Sequence, residues 1–436
     1  MRLTEHGETD LLELDRFFAL PGLEPCQEKL TEILGAKKKK GAVIQLHLEE
    51  FKSFNDTFGY EFGCLFLKEI ARYLCEIEGT DVYRIAGVDF VVILEDTART
   101  VVDTVLENIV TRFDNSWHIN NLDCMCSVNI GISWFPGYAE TADDMLENLN
   151  HAVNESAQLG QNEVVTYNED LMLKIFRKNS IARKIPEFLQ SGALELRYRP
   201  TYHTETGKCT RADCYMRLIS DEFGIIQSRE FLPIVEESGQ IGIVSHYAIT
   251  KTCDLIAKLI AEGKEFETIA VPVSPIQLLQ ERFWSDVAAI INAAGIPAKK
   301  LSFEITESVA LSAFSSAQVN IQKLSDLGVE IVLTEFGTGY SGLNSILSMQ
   351  VDVVKLERLL IWQLENDPRG IHLVEGLIHI AKNLDVKLVA EGVETEEQVR
   401  LLKNVGCEYE QGFYYSPTLT ASELKDCFDG SVKKTV

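Results

Sequence analysis

From residue 187 onward the sequence alternates apolar strand-like runs with amphipathic helices so regularly that few architectures accommodate it. Eight strand candidates are legible: ALELRYRP (193–200), KCTRADCYMRLI (208–219), TIAVPVS (268–274), LSFEIT (301–306), EIVLTEF (330–336), VDVVKLE (351–357), KLVAEGV (387–393) and GFYYSP (412–417). Helical spacing separates most of them, as in HYAITKTCDLIAKLIAEG (246–263). Only the turn-like HTETGK lies between the first two, so that pair is expected to be antiparallel, because a parallel step needs a crossover. The expected fold is a slightly irregular (β/α)8 barrel of roughly 250 residues.

Ahead of it the order is mixed. GAVIQLHLE (41–49) reads as a strand, FGCLFLKEIARYLCEIE (62–78) as a helix and VYRIAGVDFVVILE (82–95) as a hairpin around Ala86 and Gly87. CMCSVNIGISWF (124–135) is a further strand, and residues 141–160 form a helix with Thr141 as N-cap and Gly160 beyond its end. The organisation expected is a helical lead-in over 1–30, broken at Pro21-Gly22, an α/β domain over 31–168, a connecting helix over 169–186 and the barrel over 187–436.

Lys+Arg 41 against Asp+Glu 66 leaves a formal charge of −25, which repels nucleic-acid polymers and anionic membranes but leaves room for a small nucleotide in a local basic pocket. The ten cysteines contain no C-x-x-C pair and fall mostly in apolar patterns, so free buried thiols in a reducing cytoplasm are expected. The opening MRLTEHGETDLLELDRFF is too acidic for a secretory signal, and no run approaches the ~18 apolar residues of a spanning helix.

At or near the carboxyl ends of the barrel strands sit Asp213, Arg217, Pro272, Glu304, Thr334, Glu335, Lys355, Glu391, Glu394 and Gln411. Converging carboxylates repel unless cations neutralise them, and Mg²⁺ or Mn²⁺ suits oxygen ligands. A metal pair is the usual device for displacement at phosphorus. Lys355 is suited to orient a water and Arg217 to grip a phosphate oxygen.

Residues 187–436 resemble an EAL domain, the cyclic di-GMP phosphodiesterase fold, through RADCYMRL, VPVSPIQL, LSFEITES, LTEFGTGYSGLNSI, VDVVKLER, VAEGVETEEQ and QGFYYSPTL. Residues 40–168 resemble a GGDEF (diguanylate cyclase) domain through LEEFKSFNDTFGYEFG, YRIAGVDFVVIL, SVNIGIS and LGQN. The resemblance implies metal ligation by Glu304, with Asp213 and Glu335 in altered metal slots. It implies help to the attacking water from Lys355, a phosphate contact from Arg217 and a place at the metal centre for Glu391. Glu394 would steady the loop after Thr334, and Gln411 would lie near water and substrate.

Departures follow from the same comparison. Asp213 stands for the glutamate of the name-giving motif, Pro272 for a metal-binding asparagine, Thr334 and Glu335 for paired aspartates, and Arg199 for a glutamine. In the first domain His47 replaces a metal-binding aspartate and the motif reads Ala86-Gly87-Val88-Asp89-Phe90. Asn55 survives at a guanine contact, its partner is Cys64, and Ala157 and Gln161 stand where phosphate-binding bases belong.

Two functions remain open. One is a non-catalytic regulator that senses cyclic di-GMP or GTP or binds a protein partner. The other is a phosphodiesterase with a rearranged metal site. Resemblance also implies a homodimer through the EAL domain.

Overall fold

The computed structural model describes residues 20–36, 39–306, 315–336 and 350–430. The chain divides into two compact units between Arg177 and Lys178, and the helix Glu169–Ser191 runs through that point.

The first unit contains β1 (Gly41–Leu48), β2 (Thr80–Ala86), β3 (Asp89–Glu95), the short pair β4 (Trp117–Ile119) and β5 (Leu122–Cys124), β6 (Val128–Phe135) and β7 (Val164–Thr166). Five strands form one sheet in the order β2-β3-β1-β6-β7, antiparallel except for the β6–β7 pair. Strand side chains alternate between faces. Ala42, Ile44, Leu46 and Leu48 therefore pack with Phe66, Ile70 and Val102, from the helices Tyr60–Cys75 and Arg99–Phe113, on one side. Val43 joins Leu30, Met145 and Leu149, from the helices Leu23–Gly35 and Ala142–Leu159, on the other. Both faces are covered, which explains the nearly unbroken apolar run of β1.

Thr141 caps the helix that follows as expected: its hydroxyl accepts from the Asp144 amide, and the Asp144 carboxylate accepts from the Thr141 amide at 2.9 Å. The strand expected over 124–135 starts only at Val128. Residues Leu122–Cys124 pair back onto Trp117–Ile119 instead, because Asn120 and Asn121 take φ of +47° and +66°, the turn that closes a tight hairpin.

The second unit contains β8 (Leu194–His203), β9 (Cys209–Ser220), β10 (Gly224–Ile226), β11 (Thr268–Pro272), β12 (Leu301–Thr306), β13 (Glu330–Phe336), β14 (Val353–Leu356), β15 (Lys387–Glu391) and β16 (Tyr409–Gln411). Eight of them close in the order β9-β11-β12-β13-β14-β15-β16-β8, with β8 returning to β9 and β10 left outside on β9. β8 is antiparallel to both neighbours, and the other pairings within the barrel are parallel.

One strand differs from its expected place. GFYYSP does not form the last strand; Tyr409–Gln411 does. Gly412 turns the chain against Val393, so closely that a Cβ there would lie 2.0 Å from the Val393 carbonyl oxygen. The aromatic run that follows packs onto the barrel instead of extending it. At the amino ends of the strands, buried Arg211 meets Glu267 at 3.2 Å and also Glu330, while Lys387 and the Tyr409 hydroxyl reach Glu267 at 2.6 and 3.0 Å. This charged ring closes the end of the barrel opposite the strand-end set and reads as structural.

Candidate binding site at the barrel mouth

Parallel register sets the opposite end. Asp213 lies beside Ala270 on β11 and across from Arg199 on β8, Pro272 pairs with Glu304, Thr306 with Thr334 and Glu391 with Gln411. Because β8 runs backwards, its early residues join the late residues of β9: Glu195 faces Arg217 and Arg197 faces Tyr215.

Lys355 is the hub of the floor. Its ammonium contacts both the Asp213 and the Glu304 carboxylates. Burial alone would lower the Lys355 pKa, but the charges of Asp213, Glu304 and Glu391 outweigh it and raise it. Glu304 is pushed up to about 8, first by burial and then by Asp213, with Lys355 pulling against both. Burial also raises Glu391. Gln411 is 0% exposed; its amide nitrogen bonds the Thr201 hydroxyl at 2.8 Å and the Asp213 carboxylate at 2.5 Å. Gln411 thus holds Asp213 from beneath.

Above the floor the mouth is basic. A cleft of about 330 Å³ is lined by Arg197, Arg199, Tyr215, Arg217, Ser228 and Arg229, among others. Nη1 of Arg199 donates to the Tyr215 hydroxyl at 3.1 Å and lies 3.6 Å from Glu391. The Arg199 guanidinium stacks over the Tyr215 ring at 4.5 Å and stands 5.6 Å from the Phe413 ring centre. Arg217 Nε donates to Glu195 at 2.6 Å, and Arg197 donates to the Thr418 carbonyl at 2.7 Å.

The expected site residues therefore divide. Asp213, Glu304, Lys355, Glu391 and Gln411 form one connected group, and Arg217 lines the cleft beside it. Glu335 is exposed and takes φ of +59° where β13 bulges between Leu333 and Phe336. Glu394 is exposed, and of the FGTGYSG run in the loop it was expected to steady only Phe336 is among the described residues. Arg197, Tyr215, Glu195 and Phe413 were not expected at the site. The R-Y-R of β8 was the available signal, since period-two alternation sets Arg197 and Arg199 on one face.

In the first unit, His47 Nδ1 and Asp89 Oδ1 lie 2.8 Å apart, and this contact raises the His47 pKa. Gln45 bonds Asn150 at 2.9 Å on the same face of β1. Asn55 is turned onto the next helix: a Cβ on Gly63 would lie 1.9 Å from its Oδ1. A cavity of about 450 Å³ nearby is lined by Glu49, Glu50, Asp114, Ser53, Gln161 and Asn162, with no Lys or Arg among its lining residues.

An EAL domain family profile matches residues 182–418. The chain belongs to the EAL domain family. A second profile, for the diguanylate cyclase GGDEF domain, matches residues 22–163 ahead of it, so the order is GGDEF then EAL. The bifunctional diguanylate cyclase/cyclic di-GMP phosphodiesterase MucR of Pseudomonas aeruginosa is 26% identical over 388 residues, which is 88% of this chain and 57% of that protein. Cyclic di-GMP phosphodiesterase PdeR of Escherichia coli is 24% identical over 427 residues, 97% of this chain and 64% of that protein. The chain spans less than two thirds of the length of either relative.

Among solved structures, the MucR phosphodiesterase in complex with c-di-GMP matches 56% of this chain and 99% of its own at 27% identity and TM-score 0.53. The GGDEF–EAL region of Vibrio cholerae LapD matches 93% and 97% at 20% identity and TM-score 0.63, a likeness of fold. No helix among the described residues is long and apolar enough to cross a membrane.

The EAL family implies a divalent metal, and the donor set here does not suit one. Pro272 has no side-chain donor atom, and the Thr334 hydroxyl donates to the Ile305 carbonyl at 3.3 Å. Asp213 and Glu304, which the sequence put forward as ligands, are bridged by the Lys355 ammonium, and Gln411 donates to Asp213 as well. Mg²⁺ demands about six oxygens in near-ideal octahedral array, and Mn²⁺ favours the same arrangement. Among the described residues no group of three or more His, Cys, Asp or Glu is arranged to hold a metal ion.

Proposed function

We propose that this GGDEF–EAL chain is a cyclic di-GMP receptor whose barrel binds the dinucleotide without hydrolysing it efficiently. The observation that carries the reading is the Lys355 bridge between Asp213 and Glu304, which supplies internally the cation those acids need. A hydrolytic water away from a metal returns toward its bulk pKa and is a poor nucleophile at neutral pH. The MucR phosphodiesterase, at 27% identity, was solved with c-di-GMP, which supports the same ligand class here. In the GGDEF domain the His47–Asp89 contact and the acidic cavity disfavour a GTP–metal complex, so we assign it no cyclase activity.

Isothermal titration of cyclic di-GMP into the whole chain tests the reading. Saturable binding with no linear dinucleotide formed at high Mn²⁺ is expected; absence of binding overturns it. A phosphodiesterase remains the second reading, favoured by the convergence of Glu304, Lys355 and Glu391 at one mouth. Its mark is a linear product that disappears in Glu304→Ala.

A further inference from the structure

We propose that Arg199 supplies positive charge that a metal would otherwise bring, and that with Arg197 and Arg217 it makes the mouth a metal-independent clamp for a cyclic dinucleotide phosphodiester. This rests on the receptor reading and adds to it the residue on which binding depends.

The charge balance comes first. Asp213, Glu304 and Glu391 would repel a phosphate if left alone. Lys355 bridges the first two, and Arg199 stands 3.6 Å from the third. Glu195 is answered by Arg217 at 2.6 Å and Arg197 at 3.5 Å. Four carboxylates are thus matched by four cations, and Arg229 adds a further positive charge to the cleft lining. The cleft lining itself carries four arginines and no carboxylate, in a chain whose formal charge is −25, while Glu423 stands 3.8 Å from Arg197 beside it.

Geometry is the second strand of the argument. Arg199 is held by packing against Tyr215 and needs little reordering to receive a ligand. The contacts seen for its polar atoms use Nη1 alone, which leaves the donors on Nη2 and Nε to a phosphate. Arg197 Nε is buried without a hydrogen-bond partner among the described residues. Guanidinium forks suit phosphate oxygens in pairs. Phe413, 60% exposed beside Arg199, offers a ring face on which a purine can stack. A phosphodiester flanked by planar bases matches that pairing of donors and ring.

The test is titration of cyclic di-GMP into the full chain in EDTA and again in Mg²⁺, with wild type, Arg199→Gln and Arg199→Lys. Wild type is expected to bind equally in both buffers. Arg199→Gln should weaken binding about tenfold or more, the value of a charge-assisted hydrogen bond, and Arg199→Lys should lose less. Thermal unfolding establishes that each variant is folded. Wild-type affinity in EDTA should also fall as KCl rises, a measurement that needs no variant. Binding that requires Mg²⁺, an unchanged Arg199→Gln, or a flat salt response overturns the inference and leaves the receptor reading standing. No binding by wild type in either buffer overturns both.

Discussion

The Lys355 ammonium rests against the Asp213 carboxylate in the floor of the barrel mouth, and each residue is only 3% exposed. A buried ion pair of this kind is weak evidence of net stability, but removing one partner strands the other in a low-dielectric site. Together with the Glu304 contact it ties the end of β14 across the barrel to β9 and β12, neither of which is its ladder neighbour.

Lys355→Met should therefore be strongly destabilising, by about 3–5 kcal/mol, because Asp213 is left buried without its cation. Urea unfolding of the whole chain at pH 7 measures it. An unaltered midpoint would mean that the acids do not depend on the ammonium.

The pH response of Glu304 has a definite sign. Its ordinary value is 4.5 and the folded state holds it at about 8, so the native protein keeps a proton that the unfolded chain has released. Stability from this group falls as pH rises across that window. Glu304→Gln does not titrate and should gain on wild type between pH 5 and pH 8 in EDTA, followed by thermal unfolding at both values. A constant gap between the two proteins would contradict the assignment.

His47 in the GGDEF domain shows the same sign of linkage. The Asp89 hydrogen bond lifts it above 6.5, so its stabilising contribution is complete below that value and is lost as pH rises through the folded pKa. Its imidazole resonances should titrate above 6.5 in wild type and shift downward in Asp89→Asn. A midpoint that ignores Asp89 would break the link.

Much of this was legible from residues alone, for identifiable reasons. The barrel announces itself because parallel strands covered on both faces read as apolar runs, and those runs end in ionisable residues at the mouth. The antiparallel β8–β9 pair follows from a connection too short for a crossover. GFYYSP looked like a strand because its composition suits one, and only the approach of Gly412 to the Val393 backbone explains why it turns away. The pair Asn120-Asn121 carried the β4–β5 hairpin, whose last residue, Cys124, was taken as the start of the strand that begins only at Val128. Lys355 was recognisable as a strand-end residue, but that it bridges Asp213 and Glu304 depends on three strands far apart in sequence. Arg199 was recognisable as a departure. Its contacts with Tyr215 and Glu391 required the closed barrel, in which β8 lies antiparallel beside β9.

Pro272 and Thr334 offer the most direct test of why a divalent ion does not suit the mouth. Pro272 pairs with Glu304 in the β11–β12 ladder, and Thr334 sits one strand further on. Pro272→Asn combined with Thr334→Asp would add side-chain oxygen donors on β11 and β13, the two strands that flank Glu304, while the 3.3 Å bond from the Thr334 hydroxyl to the Ile305 carbonyl is given up. A metal that binds only the folded state stabilises it by mass action, by about 2.7 kcal/mol at a hundredfold excess over its Kd. Mn²⁺ should therefore leave the melting temperature of wild type in place and raise that of the double variant. The added aspartate also competes for Lys355, so the variant without metal should melt lower than wild type, its acids exceeding their cations. If Mn²⁺ stabilises both proteins alike, the acids of the wild-type mouth hold the ion despite the lysine, and the phosphodiesterase reading takes precedence.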